Sequence, residues 1–242
     1  MSKIAAFFDI DGTLYREGLI SEIFKKLVKC EIIEPDKWYN DVRNEYIKWD
    51  KRQGNYDNYL LKMAEIYTTA VKGLHSSQVE FIASKVIDQK GDRVYTYTRD
   101  MIAWHKSQGH MVITISGSPE ELVKAMSKKH GFDDYRGSIY KKNMENIYTG
   151  EVIPMWDSKS KKASILELKE LYDIDLSKSY AYGDTAGDFS MFQLVQFPVC
   201  VNPTRELIKA ILFDNVIREK VKIVVERKDM VYKLFPEDIH CI

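Results

Sequence analysis

The stretch Ile4-Ala5-Ala6-Phe7-Phe8-Asp9-Ile10-Asp11-Gly12-Thr13 decides the fold class of this 242-residue chain. Five apolar residues that end abruptly at two aspartates are typical of a short strand buried on both faces of a parallel sheet. In an open sheet of this kind, ligands bind at the carboxyl ends of the strands. The stretch therefore predicts a buried first strand that places Asp9 and Asp11 at the ligand-binding edge.

Further apolar runs of the same character occur along the chain, at Met111 to Ile115, Ser179 to Tyr182 and Pro198 to Val201. Helical patterns separate them, and this alternation predicts an α/β fold with a doubly wound, Rossmann-like parallel sheet. Alternating apolar residues over Gly137 to Ile153 add a small β-hairpin. A last strand is expected near Val221 to Val225.

Two helices of this core are marked by their ends and by their apolar faces. Ser118-Pro119-Glu120-Glu121 predicts a helix start with Ser118 as the N-cap residue and a capping box, and Gly131 predicts its end. A second helix is expected over residues 160–172, where an apolar stripe follows the helical period. That stripe consists of Ile165, Leu166, Leu168 and Leu171.

Residues 14–92 form a block that is helical in pattern and has no buried-strand run. Helices are expected from about Ile20, from Pro35, over 55–71 and over 77–89. We therefore predict a helical cap domain over 14–92, inserted into a core made of 1–13 and 93–242. Aromatic residues are frequent in this block and are interpreted as helix packing rather than as a substrate-binding box. They are Trp38, Tyr39, Tyr46, Trp49, Tyr56, Tyr59 and Tyr67.

Composition excludes several classes of function. Lys+Arg and Asp+Glu are 36 each, so the chain has no excess of basic residues that would indicate a nucleic-acid partner. No apolar run approaches the ~20 residues of a membrane span, and the N-terminal run is too short for a signal peptide. Three cysteines without paired spacing argue against a disulfide framework or a zinc site. We expect a cytoplasmic protein, and the sequence does not indicate its oligomeric state.

Charged and small polar residues follow the predicted strands. Besides Asp9 and Asp11 they include Ser116-Gly117, Gly183-Asp184 with Asp188, and a lysine early in the helix near residue 160. Carboxylates at one edge repel each other unless a cation lies among them, and Mg²⁺ is the usual cation beside phosphate. A hydroxyl, an unobstructed N–H, a helix N-terminus and a lysine together suit a phosphate. One carboxylate can attack phosphorus while another transfers the proton.

This arrangement resembles the haloacid dehalogenase-like (HAD) hydrolases, and most closely their phosphoserine-phosphatase-like branch, which carries a helical cap after its first motif. The four motifs that carry the resemblance occur in the family's order. They are Asp9-Ile10-Asp11-Gly12-Thr13, Thr114-Ile115-Ser116-Gly117, Lys162, and Gly183-Asp184-Thr185-Ala186-Gly187-Asp188. The match spans the core, whereas the cap matches only in placement and helical character.

The resemblance implies a role for each matched residue. Asp9 would be the nucleophile and Asp11 the general acid and base, which favours phosphate-ester hydrolysis within the superfamily. Thr13, Ser116, Gly117 and Lys162 would bind phosphate, with Lys159 and Lys161 as alternatives to Lys162. Mg²⁺ would be held by Asp9, by the backbone carbonyl of Asp11 and by Asp184, with Asp188 as a further metal residue that binds it or orients its waters.

The expected substrate is a small phosphorylated metabolite. True phosphoserine phosphatases carry a glutamate nine residues after the nucleophile, where this chain has Gly18 next to Glu17, and this difference argues against phosphoserine. Two alternatives stay open at this point. The same site could transfer the phosphoryl group to another hydroxyl, as in a phosphotransferase or mutase, or the fold could bind phosphate as a non-catalytic regulator.

Overall fold

The computed structural model describes residues 2–36, 42–51, 53 and 56–239. Its strands are β1 Ala5–Phe8, β2 Met111–Pro119, β3 Asp134–Lys142, β4 Tyr148–Ile153, β5 Tyr180–Gly183, β6 Phe197–Val201, β7 Lys222–Arg227 and β8 Met230–Leu234. Its α-helices are α1 Leu19–Lys29, α2 Arg43–Asp50, α3 Tyr56–Val71, α4 Ser76–Lys90, α5 Thr96–Ser107, α6 Glu120–His130, α7 Ser158–Tyr172, α8 Phe189–Leu194, α9 Arg205–Phe213 and α10 Asn215–Lys220. The α/β fold class predicted from the sequence is confirmed.

The strands form one sheet in the order β4-β3-β2-β1-β5-β6-β7-β8. The inner strands run parallel, and β4 and β8 are added antiparallel at the two edges. After β1 the chain continues to β2 on one side and later to β5 on the other. The carboxyl end of β1 is therefore the topological switch point, where open α/β sheets bind their ligands.

Strand β1 is buried on both faces, as its apolar sequence predicts. Ala6 and Phe8 face one apolar cluster, which also contains residues of α1, α3, α4 and α6. Ala5 and Phe7 face a second cluster, formed with α7, α8, α9 and α10. Because side chains alternate along a strand, each of these four residues packs into one of the two layers. The burial holds the end of β1, and hence Asp9, in a fixed place.

The helical block after β1 packs against the sheet layer through its apolar faces. In α1 the buried positions include Leu19, Ile23 and Leu27, which recur with the helical period expected from the sequence. Residues of α1, α3 and α4 share one apolar cluster with β1, β2 and β5. The division into a core and a cap domain stays a prediction. Trp38 and Tyr39, assigned to this block from the sequence, lie outside the described residues.

The structure differs from the sequence expectations mainly at the edges of the sheet. The hairpin predicted over 137–153 exists, but β3 also pairs with β2, so the hairpin extends the main sheet. The strand expected near Val221 to Val225 is β7, which extends to Arg227 and pairs with a further strand, β8, that the sequence does not predict. In α7 only Ile165 and Leu168 of the predicted stripe are buried, because one face of the helix covers the sheet while Leu166 and Leu171 point to solvent.

The cysteines and helices of the described ranges add two observations. Cys30 is exposed and Cys200 is buried, and neither is in a disulfide. Across the residues described, helices are either too short or too polar to cross a bilayer.

Candidate active site

The candidate active site lies where β1, β2 and β5 end side by side. The N–H of Asp9 donates to the carbonyl of Tyr182 at 2.9 Å, which fixes the end of β1 against β5. The chain then turns at Gly12, whose φ is +80°. A Cβ atom at this position would lie 2.0 Å from Oδ2 of Asp184. Only glycine allows both this backbone conformation and this close approach to the carboxylate.

Lys161 lies between two of the carboxylates. Its Nζ donates to Oδ1 of Asp9 at 2.8 Å and to Oδ1 of Asp188, and all three side chains are nearly buried. Burial alone would lower the pKa of Lys161, but the carboxylates of Asp188 and Asp9 raise it. Burial also raises the pKa of Asp9, with the charges of Asp188 and Asp11 adding to the rise and Lys161 opposing it. Lys161 therefore stays charged in the site.

The carboxylates of Asp184 and Asp188 are oriented by neighbouring donors. Thr13 Oγ1 donates to Asp184 Oδ1 at 2.8 Å. Oδ2 of Asp188 accepts the backbone N–H of Asp184 at 3.1 Å and both the N–H and the hydroxyl of Thr185, at 3.0 and 3.1 Å. Gly183 makes room for this loop, since a Cβ there would lie 2.4 Å from Cβ of Asp188. The loop after β5 thus holds two carboxylates in fixed orientations.

These side chains fit a divalent cation. Asp9, Asp184 and Asp188 each offer a carboxylate oxygen, and these atoms lie within 4.8 Å of one another. Burial raises the pKa of Asp184 well above its ordinary value, and the charges of Asp9 and Asp188 raise it further. Lys161 alone cannot balance the three carboxylates. Buried oxygen donors with excess negative charge are the ligands that a hard cation such as Mg²⁺ prefers.

The side chain of Asp11 belongs to a different group of contacts. Its Oδ2 accepts from Ser118 Oγ at 2.6 Å and from Ser116 Oγ at 3.3 Å, and its Oδ1 accepts from the N–H of Leu19 at 2.7 Å. Burial raises the pKa of Asp11, and the Leu19 and Ser118 hydrogen bonds oppose the rise. Its carboxylate is not part of the three-carboxylate cluster. The carboxylate of Asp11 therefore has different hydrogen-bond partners from the carboxylate of Asp9 and lies outside the carboxylate cluster.

The structure brings the four candidate aspartates together as expected, but it places a different lysine beside them. Asp9, Asp11, Asp184 and Asp188 lie at one edge of the sheet, as predicted. Lys162, the lysine assigned from the motif, is exposed, and the alternative Lys161 occupies the site. Successive helix residues point about 100° apart, so a shift of one position turns a side chain from the sheet to solvent.

The residues expected to bind phosphate occupy different positions around the site. Gly117 faces a cavity, and a Cβ there would lie 2.8 Å from Cβ of Trp156. Thr13 and Ser116 are buried and contact the carboxylates of Asp184 and Asp11. Their role in phosphate binding stays a prediction.

Ser118 is a site residue that the sequence analysis assigned to another role. Helix α6 begins at Glu120, with Pro119 in the N-cap position and no side-chain cap, so the expected capping box does not form. The hydroxyl of Ser118 is used by Asp11 instead. The hydroxyl of Ser118 thus binds the carboxylate of Asp11, from a distant part of the chain, instead of the N–H groups at the start of α6. The local Ser-x-x-Glu pattern does not indicate this long-range contact.

Among the described residues, a small and a large cavity open at the site. The small cavity, of about 300 Å³, is lined by Asp9, Asp11, Ser118 and Lys161 and by residues of α1 and α3. The large cavity, of about 940 Å³, lies beyond Gly12 and Asp184. Its lining includes charged side chains and the aromatic residues Tyr46, Trp49 and Tyr59, of which Trp49 and Tyr59 are stacked with ring centroids 5.6 Å apart. These aromatic residues pack on one another and also face the large cavity.

Comparison with known proteins agrees with this geometry. A family model described as haloacid dehalogenase-like hydrolase matches residues 6–193, which include all four aspartates of the site. The chain is 27% identical over 209 residues to the inhibition of morphological differentiation protein of Streptomyces azureus, covering 86% of this chain and 74% of that protein. It is 25% identical over 214 residues to a histidinol-phosphatase of Neisseria meningitidis serogroup C, covering 86% and 94%.

A solved structure shows the same fold. It is described as a phospho-aspartyl intermediate analogue of phosphoserine phosphatase, and its TM-score with this chain is 0.60 at 20% sequence identity. The superposition covers 95% of this chain and 96% of the solved one. The phosphatases named in these comparisons act on different esters, so the likeness does not fix which ester this chain cleaves.

Proposed function

Because the chain belongs to the haloacid dehalogenase-like hydrolases and is a phosphatase of their phosphoserine-phosphatase-like branch, we propose that it hydrolyses a small phosphate monoester through a phosphoryl group on Asp9. One observation carries this proposal. Asp9 and Asp11 line the same small cavity, but Asp9 is paired with Lys161 whereas Asp11 is held by two hydroxyls and a backbone N–H. Two carboxyl groups in different environments suit two different chemical roles.

In the first half of the reaction, Asp9 attacks phosphorus and the bond to the ester oxygen breaks. Asp11 donates its proton to the departing oxygen, so that an alcohol leaves. Burial raises the pKa of Asp11, which favours the protonated form needed for this step. Lys161, paired with Asp9, supplies positive charge beside the phosphoryl oxygens.

In the second half, Asp11 accepts a proton from a water molecule, and the oxygen of that water attacks the phosphoryl group on Asp9. The acyl-phosphate bond breaks, inorganic phosphate leaves, and Asp9 returns to its carboxylate form. The hydrogen bonds from Ser118 and Ser116 keep Asp11 in place through both halves.

We propose Mg²⁺ as the cofactor, held by Asp9 and Asp184, with Asp188 as a further ligand or as an acceptor for its waters. The expected contribution of the backbone carbonyl of Asp11 stays part of this proposal. A bound Mg²⁺ would offset the negative charge of these carboxylates and of the phosphoryl oxygens. Asp188 also contacts Lys161 and the backbone of Asp184, so it orders the cluster even without a direct metal bond. Cys30 and Cys200, neither of which is in a disulfide, fit a reducing cytoplasm as the place of action.

The test compares Asp9→Asn with the wild-type protein on p-nitrophenyl phosphate in the presence of Mg²⁺. Uncatalysed hydrolysis of phosphate monoesters is extremely slow, with enzymatic accelerations of up to ~10²¹ known, so loss of the nucleophile should remove essentially all turnover. Circular dichroism serves as the control for folding. Full activity in a folded Asp9→Asn protein would refute the proposed chemistry.

A further inference from the structure

The small cavity indicates what kind of ester fits this site. We propose that the leaving group is an apolar alcohol, with no charged group on the carbons next to the ester oxygen. This inference rests on the proposed function and narrows its substrate class. It is based on a contrast within the small cavity. Asp9, Asp11, Ser118 and Lys161 line its polar side, whereas apolar side chains line the opposite side.

The apolar wall of the small cavity consists of Ile20, Leu60, Leu61, Ala64 and Trp156. Ile20 comes from α1, and the next three come from α3. Within the described residues, these two helices contribute no charged side chain to the small cavity. The core side adds Asp157, but its carboxylate accepts the N–H and the hydroxyl of Ser160 at 2.9 and 2.6 Å, which caps α7.

The position of the proton donor directs the leaving group toward this wall. The ester oxygen has to come within hydrogen-bond reach of Asp11 to receive its proton. The carboxylate of Asp11 accepts a hydrogen bond from the N–H of Leu19, the residue next to Ile20. The proposed proton donor, Asp11, is therefore in direct contact with the start of α1. The carbons attached to that oxygen therefore meet Ile20 and the adjoining residues of α3.

Such a wall favours an alkyl chain and opposes a charged group. Leu61 has 49% of its surface exposed, so a bound alkyl group would remove apolar surface from water on both sides. An ammonium or carboxylate group against this wall would lose hydration, and the described residues of α1 and α3 that line the cavity offer it no charged partner. Because each buried methylene contributes to binding, we expect kcat/KM to rise about fourfold per methylene until the cavity is filled.

The large cavity has a charged lining and therefore favours a charged leaving group instead of an apolar one. It is lined by charged side chains, among them Arg16, Lys25, Asp50 and Glu206. Glu17 also lines it, and its carboxylate is paired with Arg93 at 2.8 Å. A zwitterionic leaving group would be accommodated there, whereas an apolar one gains most in the small cavity. The two cavities thus predict opposite preferences among simple esters.

Propyl phosphate and phosphoethanolamine provide a matched pair for the test, since they differ mainly in a terminal methyl or ammonium group. We expect kcat/KM to be at least about tenfold higher for propyl phosphate, and to rise from ethyl to butyl phosphate. Equal or better turnover of phosphoethanolamine or phosphoserine would overturn the inference. That result would leave the phosphatase proposal intact, because p-nitrophenyl phosphate would still be cleaved. No turnover of any ester would overturn both.

A charge placed on the wall gives an independent measurement. Leu61→Glu should lower kcat/KM for propyl phosphate and raise it for phosphoethanolamine, so that their ratio falls by about tenfold. The matched control is Leu171→Glu, since Leu171 is also an exposed leucine and lies ten residues along α7 from Lys161, about 15 Å away. The control should keep the wild-type ratio. A ratio unchanged in a folded Leu61→Glu protein would also overturn the inference.

Discussion

At the scale of single residues, the charge of Lys161 connects the two parts of the site. Its ammonium group contacts Asp9, the proposed nucleophile, and Asp188, which orders the loop after β5. All three groups are nearly excluded from water, so their interaction is only weakly screened. Removal of the lysine would leave two buried carboxylates without this partner, which is costly in a site that already carries excess negative charge.

We therefore expect Lys161→Ala to lower kcat/KM for p-nitrophenyl phosphate by about 10² to 10³, the range found when one charge-stabilising donor is removed. Lys162→Ala is the matched control, since it removes the same type of side chain from the next position of the same helix. Its kcat/KM should stay within about twofold of wild type, because Lys162 is exposed. The reverse order of effects would show that Lys162 is the functional lysine.

The same two positions show what the sequence can predict at this scale. The residue types and their order along the chain predict that Asp9, Asp11, Asp184 and Asp188 lie at one edge of the sheet, where the structure brings them together, while their roles stay predictions. The choice between Lys161 and Lys162 depends on the rotation of α7 relative to the sheet. The motif match selects Lys162, whereas Lys161 lies four and seven positions before Ile165 and Leu168 and so shares their buried face. Ser118 could not be assigned for a related reason, since its partner Asp11 is 107 positions away in sequence.

At the scale of secondary-structure elements, the start of α1 is connected to the proposed proton donor. The first N–H groups of a helix have no partner within the helix. Here the N–H of Leu19 donates to the carboxylate of Asp11, and Gly18 in the N-cap position provides no side-chain cap. The helix end and Asp11 thus satisfy each other, so the position of α1 helps to set the position of Asp11.

Two substitutions at Leu19 can separate this hydrogen bond from the packing of the side chain. Leu19→Ala keeps the N–H but removes the buried side chain, whereas Leu19→Pro removes both. Proline is tolerated at the first position of a helix, and the extended conformation of Gly18 is compatible with a following proline. We expect kcat for an alkyl phosphate to be at least about tenfold lower in Leu19→Pro than in Leu19→Ala. Equal kcat values in the two variants would exclude a role for this N–H.

The strands that the sequence predicts best are those that are buried within the sheet. Strands β1, β5 and β6 were recognisable because both of their faces are apolar. Strand β8 was not, because it is the edge strand, and Met230 and Tyr232 are exposed. An edge strand is defined by pairing with its neighbour, and short stretches of sequence contain little information about such pairing.

At the scale of the whole molecule, a buried histidine connects the sheet to α5. His105 is fully buried, and its Nε2 lies 2.8 Å from the hydroxyl of Tyr182. Its Nδ1 lies 2.9 Å from Nδ1 of His110. The rings of Phe8, Trp104 and Tyr180 surround it. Burial and the nearby His110 lower the pKa of His105 from 6.5 to about 3.

This pKa shift predicts how stability depends on pH. Below pH 6.5 the unfolded chain binds a proton at His105 that the folded protein binds only near pH 3, so its contribution to stability is fully present above pH 6.5 and is lost as the pH falls. The loss approaches about 1.4 kcal/mol per pH unit for one proton. His105→Gln should therefore show a flatter decline in urea-unfolding free energy between pH 7 and 5. Parallel declines in both proteins would contradict this.

The carboxylate cluster predicts how a divalent cation affects the stability of the whole protein. Mg²⁺ that binds the folded state alone should stabilise it by about 2.7 kcal/mol at a hundredfold excess over its Kd. For a chain of this size that corresponds to a rise in Tm of roughly 5 to 10 °C.

Asp184→Asn keeps the oxygen that accepts from Thr13 but removes one charge from the cluster. Because like charges in a buried cluster repel, this variant should melt at a higher temperature than the wild type in EDTA and should lose most of the Mg²⁺-induced shift. A Tm that rises equally with Mg²⁺ in both proteins would place the cation elsewhere, since Asp184 would then not be among its ligands.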